Sequence, residues 1–151
     1  MRKHCSLILS IILVIIAASV YYYLSVRSTA SPYTGRSSDS FLCTSSCKQY
    51  PLSAEQISVT VSNTGDYSGE IDKPILEQKR GNTWYSVKPE ELSGHTLITS
   101  ELLYVLPGSP RTFALSLEPY RSHLSPGEYR FVFGLHASAQ FFSYEFTLTA
   151  S

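Results

Sequence analysis

The stretch LSPGEYRFVFGLHASAQFFSYEFTLTAS, Leu124–Ser151, decides the fold. Pro126-Gly127 has the chemistry of a tight turn, since proline presets φ and glycine tolerates the positive φ that such turns need. After it, Tyr129, Phe131, Phe133 and Leu135 fall on alternate positions, and Phe142, Tyr144, Phe146 and Leu148 repeat the pattern after a short connection. A period of two is the mark of a strand with one buried face. Two neighbouring strands with aromatic inner faces make the floor of a core, each large ring worth on the order of a few kcal/mol when buried.

The same alternation runs upstream. In QISVTVSN, Ile57, Val59 and Val61 face one way while Ser58, Thr60 and Ser62 face the other, and Asn63-Thr64-Gly65-Asp66 follows with turn residues. PILEQKRGNTWYSV reads as a hairpin with Gly81 at its tip. HTLITSELLYVLPGSP is ambiguous between one strand, two short ones and a helical turn near Glu101, and RTFALSL puts Phe113, Leu115 and Leu117 on one face. The chain holds 11 Tyr and 7 Phe against one Trp and one Met, residues that suit a pleated half-buried surface. Several short strands with regular turns predict an all-β sandwich or barrel. With no strands alternating with long amphipathic helices, a parallel α/β fold is excluded.

Leu124-Ser125-Pro126-Gly127-Glu128-Tyr129 looks like the tyrosine corner of Greek-key sandwiches, in which a Tyr opening strand F turns its hydroxyl back to the main chain. In order and spacing, ISVTVSNTG, ILEQKRGNTWYSV, LPGSPRTFALSL and LSPGEYRFVF together resemble the bacterial immunoglobulin-like domains of small secreted or membrane-anchored proteins, over Ile57 to Leu148. The resemblance implies an immunoglobulin-like Greek-key β-sandwich of about seven antiparallel strands. It assigns structural roles to Trp84, Tyr129, Phe131, Phe133, Phe142, Tyr144 and Phe146. Unlike antibody domains, no cysteines sit on the strands that would be B and F, so Trp84 packs on side chains alone, and strand A comes from somewhere between Phe41 and Ser53. Such domains serve as adhesive, spacing or partner-binding modules, and the fold does not choose among these.

At the other end of the chain, Ser6 to Val26 carries no charge and is mainly apolar, with Tyr21, Tyr22 and Tyr23 near its far side. Roughly 20 such residues suffice for the ~30 Å hydrocarbon layer. The expected organisation is an N-terminal transmembrane helix at residues 1–26, acting as signal-anchor or signal peptide, a Ser/Thr-rich linker at 27–46, and a β-sandwich at 47–151. The three tyrosines favour an anchor, while Ala17-Ala18-Ser19 offers small residues for cleavage. The anchor reading gives a single-pass protein touching the membrane through residues 6–26, with a cytoplasmic N-terminus and an extracytoplasmic C-terminal domain. Cleavage would make it secreted. In that scheme Cys5 is separated from Cys43 and Cys47, which are free to form a small local disulfide.

Formal net charge is zero, from 12 basic and 12 acidic residues, which disfavours nucleic acid as a partner. His95, His123 and His136 stand apart, and no nucleophile elbow, phosphate loop or dinucleotide fingerprint occurs. Asp66, Glu70 and Asp72 come nearest to a metal loop but lack the calcium-loop order. The expectation is therefore no catalytic residue, no metal, no cofactor and no small-molecule substrate. Phe141 should face away from the core beside the inward Phe142, a candidate contact residue unless something covers it. The function expected is a non-enzymatic, tethered binding or scaffolding domain that presents loops or a sheet edge to a protein partner. The alternatives are a protease inhibitor acting through LSGHTLITSELLYVLPGSP, and a carbohydrate-binding module using exposed Tyr and Phe.

Overall fold

The computed structural model describes residues 13–17, 28–35, 37–90 and 103–150. The two aromatic runs form β10 (Gly127–Gly134) and β11 (Phe141–Thr149), antiparallel from the pair Gly127–Leu148 to the pair Gly134–Phe141. β6 (Ile75–Arg80) joins the other side of β10, and β7 (Thr83–Val87) follows it through the hairpin at Gly81, whose φ of 60° is the left-handed conformation the turn requires. Two short strands complete the sheet: β1 (Ser28–Ala30) on β7 and β3 (Gln49–Pro51) on β11, giving the order β1-β7-β6-β10-β11-β3. Opposite lies a three-stranded sheet of β2 (Phe41–Thr44), β4 (Gln56–Asn63) and β9 (Arg111–Ser116). A small ladder of β5 (Gly69–Ile71) and β8 (Leu103–Val105) closes one end.

The core fills the space between the sheets. Ile57, Val59, Val61 and Phe113 from the smaller sheet meet Leu76, Tyr129, Phe131, Phe133, Phe142, Tyr144, Phe146 and Leu148 from the larger one. Phe142 stacks between Phe133 at 4.9 Å and Phe41 at 4.8 Å. The Phe41 ring lies where a Cβ on Gly69 would be, 2.3 Å away, so a glycine is needed there for the ring to seat. The chain crosses from β9 to β10 through a 3-10 helix, Glu118–His123. Where it enters β10, the Tyr129 hydroxyl donates to Ser125 O at 2.9 Å and accepts from Ser125 N at 3.0 Å and Gln78 Nε2 at 3.0 Å.

Several expectations need correction. Among the described residues, the sandwich has eleven strands, and β3 runs parallel to β11, so the description of about seven antiparallel strands is too simple. Of the short additional strands, β1, β2 and β3 obtain backbone hydrogen bonds from longer neighbours, while β5 and β8 pair with each other, and none needs apolar alternation of its own. Residues 27–46, read as linker, contribute β1 and β2. No helix of the described residues is long and apolar enough to cross a membrane. This finding corrects the expectation of an N-terminal transmembrane or signal-anchor helix that touches the membrane through residues 6–26 and gives the protein a single-pass topology with a cytoplasmic N-terminus. Residues 6–12 and 18–26 lie outside the described part.

Candidate functional site

Three of the eight exposed large apolar side chains among the described residues, Tyr67, Tyr104 and Leu106, lie at the end of the sandwich closed by β5 and β8; the others are Leu42 on β2 and residues 13–16. In this ladder Ile71 and Val105 point into the core, while Glu70 and Tyr104, paired across the strands, point outward. Asn63, the last residue of β4, is 2% exposed and organises the neighbouring turns. Its Nδ2 donates to Tyr67 O at 2.7 Å and Val105 O at 3.0 Å, and its Oδ1 accepts from Gly65 N at 2.9 Å. Its own carbonyl accepts from Gly108 N at 3.1 Å. One buried amide thus joins the turn after β4 to the segment around β8. From the turn after β4, from β8 and from the residue after it project Tyr67, Tyr104 and Leu106, respectively 86%, 50% and 56% exposed.

Next to them an ion pair joins β5 to the loop after β10. His136 Nδ1 lies 2.8 Å from Asp72 Oδ1, and the main chains are tied by His136 N to Glu70 O at 2.8 Å and Asp72 N to Gly134 O at 2.9 Å. The hydrogen bond to Asp72 pushes the His136 pKa above its ordinary value, against a small opposing cost of burial and with help from the Glu70 and Asp72 charges. The Tyr104 hydroxyl reaches Glu70 Oε1 at 3.4 Å. A shallow cleft of about 430 Å³ lies between Phe41, Asn63, Asp66, Tyr67, Glu70 and His136. A larger, mainly apolar groove of about 640 Å³ runs between Ile75, Val87, Ala114, Leu115, Pro119 and Tyr120.

The residues singled out from sequence separate into three places. Tyr129, Phe131, Phe133, Phe142, Tyr144 and Phe146 are buried between the sheets. Trp84 lies on the outer face of the larger sheet, its ring 4.6 Å from the Arg130 guanidinium. Phe141 also turns to that outer face but is only 5% exposed, because the Tyr33 ring covers it at 5.3 Å. Cys43 and Cys47 are free thiols here. Burial pushes Cys43 up to about 12, while Cys47 is exposed. Of the candidate metal-loop residues, Glu70 and Asp72 are engaged by Tyr104 and His136, and no group of three or more metal-ligating side chains forms among the described residues. His123 sits on the 3-10 helix with its Nδ1 3.4 Å from Ser122 Oγ, and His95 lies outside the described residues. Of the segment read as an inhibitor loop, residues 92–102 also lie outside them, and the remainder forms β8 and the turn after it.

Sequence reasoning read Asn63 as a turn residue only, and did not single out Tyr67 or Leu106. The signals were nonetheless present: an Asn closing an alternating strand with Gly two residues on is an Asx-turn pattern, and an aromatic inside a Gly/Asp/Ser turn has no core to enter.

A family model described as a bacterial Ig-like domain matches residues 39–149, from just before β2 to the end of β11. No curated protein matches the chain. A β-rich domain of this kind is consistent with a non-catalytic, protein-interaction role. With the matched range covering most of the 151 residues, and with a two-sheet core to go with it, the chain belongs to the bacterial Ig-like domain family.

Proposed function

We propose that this domain is a non-enzymatic protein-binding module whose contact surface is the loop end carrying Tyr67, Tyr104 and Leu106. The observation that carries the reading is the exposure of these three large side chains on the turn after β4 and on and beside β8, two segments joined by the buried Asn63. Exposed tyrosines on a rigid frame lose little freedom on binding, and Tyr is over-represented among residues that dominate interface energetics. The Asp72–His136 pair and Glu70 supply a polar rim beside the apolar centre.

A photo-crosslinking residue placed at 67 or 106 of the full chain, in the cells that produce it, tests the proposal. The control position is Asn82, in the hairpin turn at the far end of β6. A discrete protein adduct from 67 and 106 but not from 82 supports it. Tyr67→Ala should then weaken that partner's binding by about 2 kcal/mol, or roughly 30-fold. Equal adducts at all three positions, no protein adduct, or capture of glycan alone would overturn it, the last in favour of a carbohydrate-binding module.

A further inference from the structure

The two main sheets end on four strands, β1 and β3 in the larger and β2 and β9 in the smaller. β1, β2 and β3 are three or four residues long, and shortness is one way in which natural sheets keep an edge from pairing with another chain. β9 is the exception, with six residues, Arg111–Ser116. Among the described residues its one sheet neighbour is β4, in the register from Gln56–Ser116 to Val61–Arg111. The bond from Leu117 N to Glu55 O, at 2.8 Å, sets which groups face that neighbour. Alternation along an antiparallel pair then turns the main chains of Phe113 and Leu115 to β4, and those of Thr112, Ala114 and Ser116 to the open side. Ala114 and Ser116 are exposed and small, and neither charge nor proline guards the edge from Phe113 to Ser116.

Beside this edge runs the apolar groove of about 640 Å³. Val87, Leu115 and Tyr120 pack against the core from its walls yet stay half-buried, and Phe131 lies beneath them. A strand laid against β9 would sit about 4.8 Å beyond it in the plane of the sheet, with every second side chain turned inward. Such side chains would cover the part of Leu115 and Val87 that the sandwich leaves open. Lys73 and Lys88, both exposed, also line the groove, and none of its described lining residues is acidic. Among the described residues neither lysine has an ion-pair partner. Two unpaired cations over an apolar trough complement an occupant with an apolar centre and anionic flanks. The outward N–H and C=O groups of β9 select a peptide, because an aliphatic chain would leave them unused. Addition of a strand to an exposed edge, with a pocket reading alternate side chains, is a recurring mode of peptide recognition.

We propose that the β9 edge and the groove beside it dock an extended segment of a protein partner, added as a fourth strand to the smaller sheet. That segment turns an apolar side chain inward over Leu115. It carries Asp or Glu two positions to either side, on the same face, to meet Lys73 and Lys88. The site shares no lining residue with the cleft at Tyr67 and stands whether or not the loop end binds a partner.

The probe is the peptide acetyl-Thr-Glu-Thr-Leu-Thr-Glu-Thr-amide, which places Glu, Leu and Glu on one face of a strand. It is titrated into the isotope-labelled full chain and followed by the backbone amide signals. Those of Ala114 and Ser116 should move saturably. A peptide with Lys in place of both Glu should bind about tenfold more weakly, the worth of two exposed ion pairs. In the double variant Lys73→Glu, Lys88→Glu, which changes only exposed side chains, that preference should reverse. Ala114→Pro removes an outward N–H without touching the ladder to β4, and should abolish saturable binding of the Glu peptide. Tyr67→Ala should leave the titration unchanged, and a loss there would overturn the separation of the two sites. The proposal fails if the Ala114 and Ser116 signals stay still. It fails equally if the two peptides bind alike, if the charge reversal does not switch them, or if Ala114→Pro binds as before. Decanoate moving the groove signals where the Glu peptide does not would overturn it in favour of an anionic amphiphile.

Discussion

The two faces of β10 set apolar and ionic burial side by side in a single strand. Tyr129, Phe131 and Phe133 point between the sheets, where Phe133 lies 4.9 Å from Phe142 and Phe131 lies 5.6 Å from Phe146 in stacked arrangements. Arg130 and Val132 point the other way and are buried too, at 6% and 1% exposure, under the segment around Ser31 and Tyr33. The inner face is held by area removed from water, which is non-directional and tolerates repacking. The outer face is held by one charge pair whose members are each unfavourable alone. From Tyr129 to Gly134 both faces are buried, yet loss of a side chain has different consequences on each.

The largest effects separate the two directly. Arg130→Ala should lower unfolding free energy by about 3–5 kcal/mol, because Glu77 would be left buried without its counter-ion. The double substitution Arg130→Met, Glu77→Leu should recover most of that loss, since a desolvated pair exchanged for packed apolar groups is often neutral or stabilising. Phe133→Ala on the inner face should cost about as much, ~3–5 kcal/mol, and changing its stacking partner Phe142 to Ala as well should only add to the damage. Urea unfolding of the four variants measures all of this. A double Arg130/Glu77 variant no more stable than Arg130→Ala would break the contrast.

A smaller effect belongs where β10 begins. Tyr129→Phe keeps the ring in the core but deprives Ser125 and Gln78 of the hydroxyl that joins the 3-10 connection to the sheet. The expected loss is about 1–2 kcal/mol, the usual worth of a part-buried hydrogen-bond group. The same urea titration gives it. A loss above 3 kcal/mol would mean that the corner supports the inner face itself and not only the crossing.

The contrast between faces also explains what was legible in the sequence. β4, β9, β10 and β11 carry an alternating apolar row because one of their faces meets the opposite sheet, so they could be read, as could the hairpin tip at Gly81. β1, β2, β3, β5 and β8 are three or four residues each; the first three complete ladders begun by longer neighbours, and β5 and β8 pair with each other. Their pairing is decided by backbone groups that every residue has, which leaves no mark on composition. Alternation also sends Arg130, Glu77 and Phe141 outward without saying whether anything lies over them. The cover comes from Ser31 and Tyr33, some 100 positions away in a Ser/Thr/Pro-rich stretch, as the separations of 99 and 97 residues to Arg130 show. At the loop end, the turn after Asn63 was readable, but the reach of its amide to Val105, 42 residues on, was not.

The smallest expected effect compares the two ion pairs. His136–Asp72 has the same 2.8 Å separation as Arg130–Glu77, but its partners are about half exposed, so water and salt screen it. Its signature is therefore pH dependence. The His136 pKa is raised above the ordinary 6.5 by its hydrogen bond to Asp72. A group whose folded pKa lies above its unfolded one stabilises fully below the unfolded value, and the contribution fades as pH rises through the folded one. The loop end should thus loosen slightly in that window above 6.5. NMR titration of the histidine ring protons should place His136 above the ordinary range in the full chain and return it there in Asp72→Asn. A wild-type His136 titrating at or below 6.5, or unmoved by that substitution, would show that the exposed pair does not form in solution and that Asp72 leaves the rim of the contact surface unorganised.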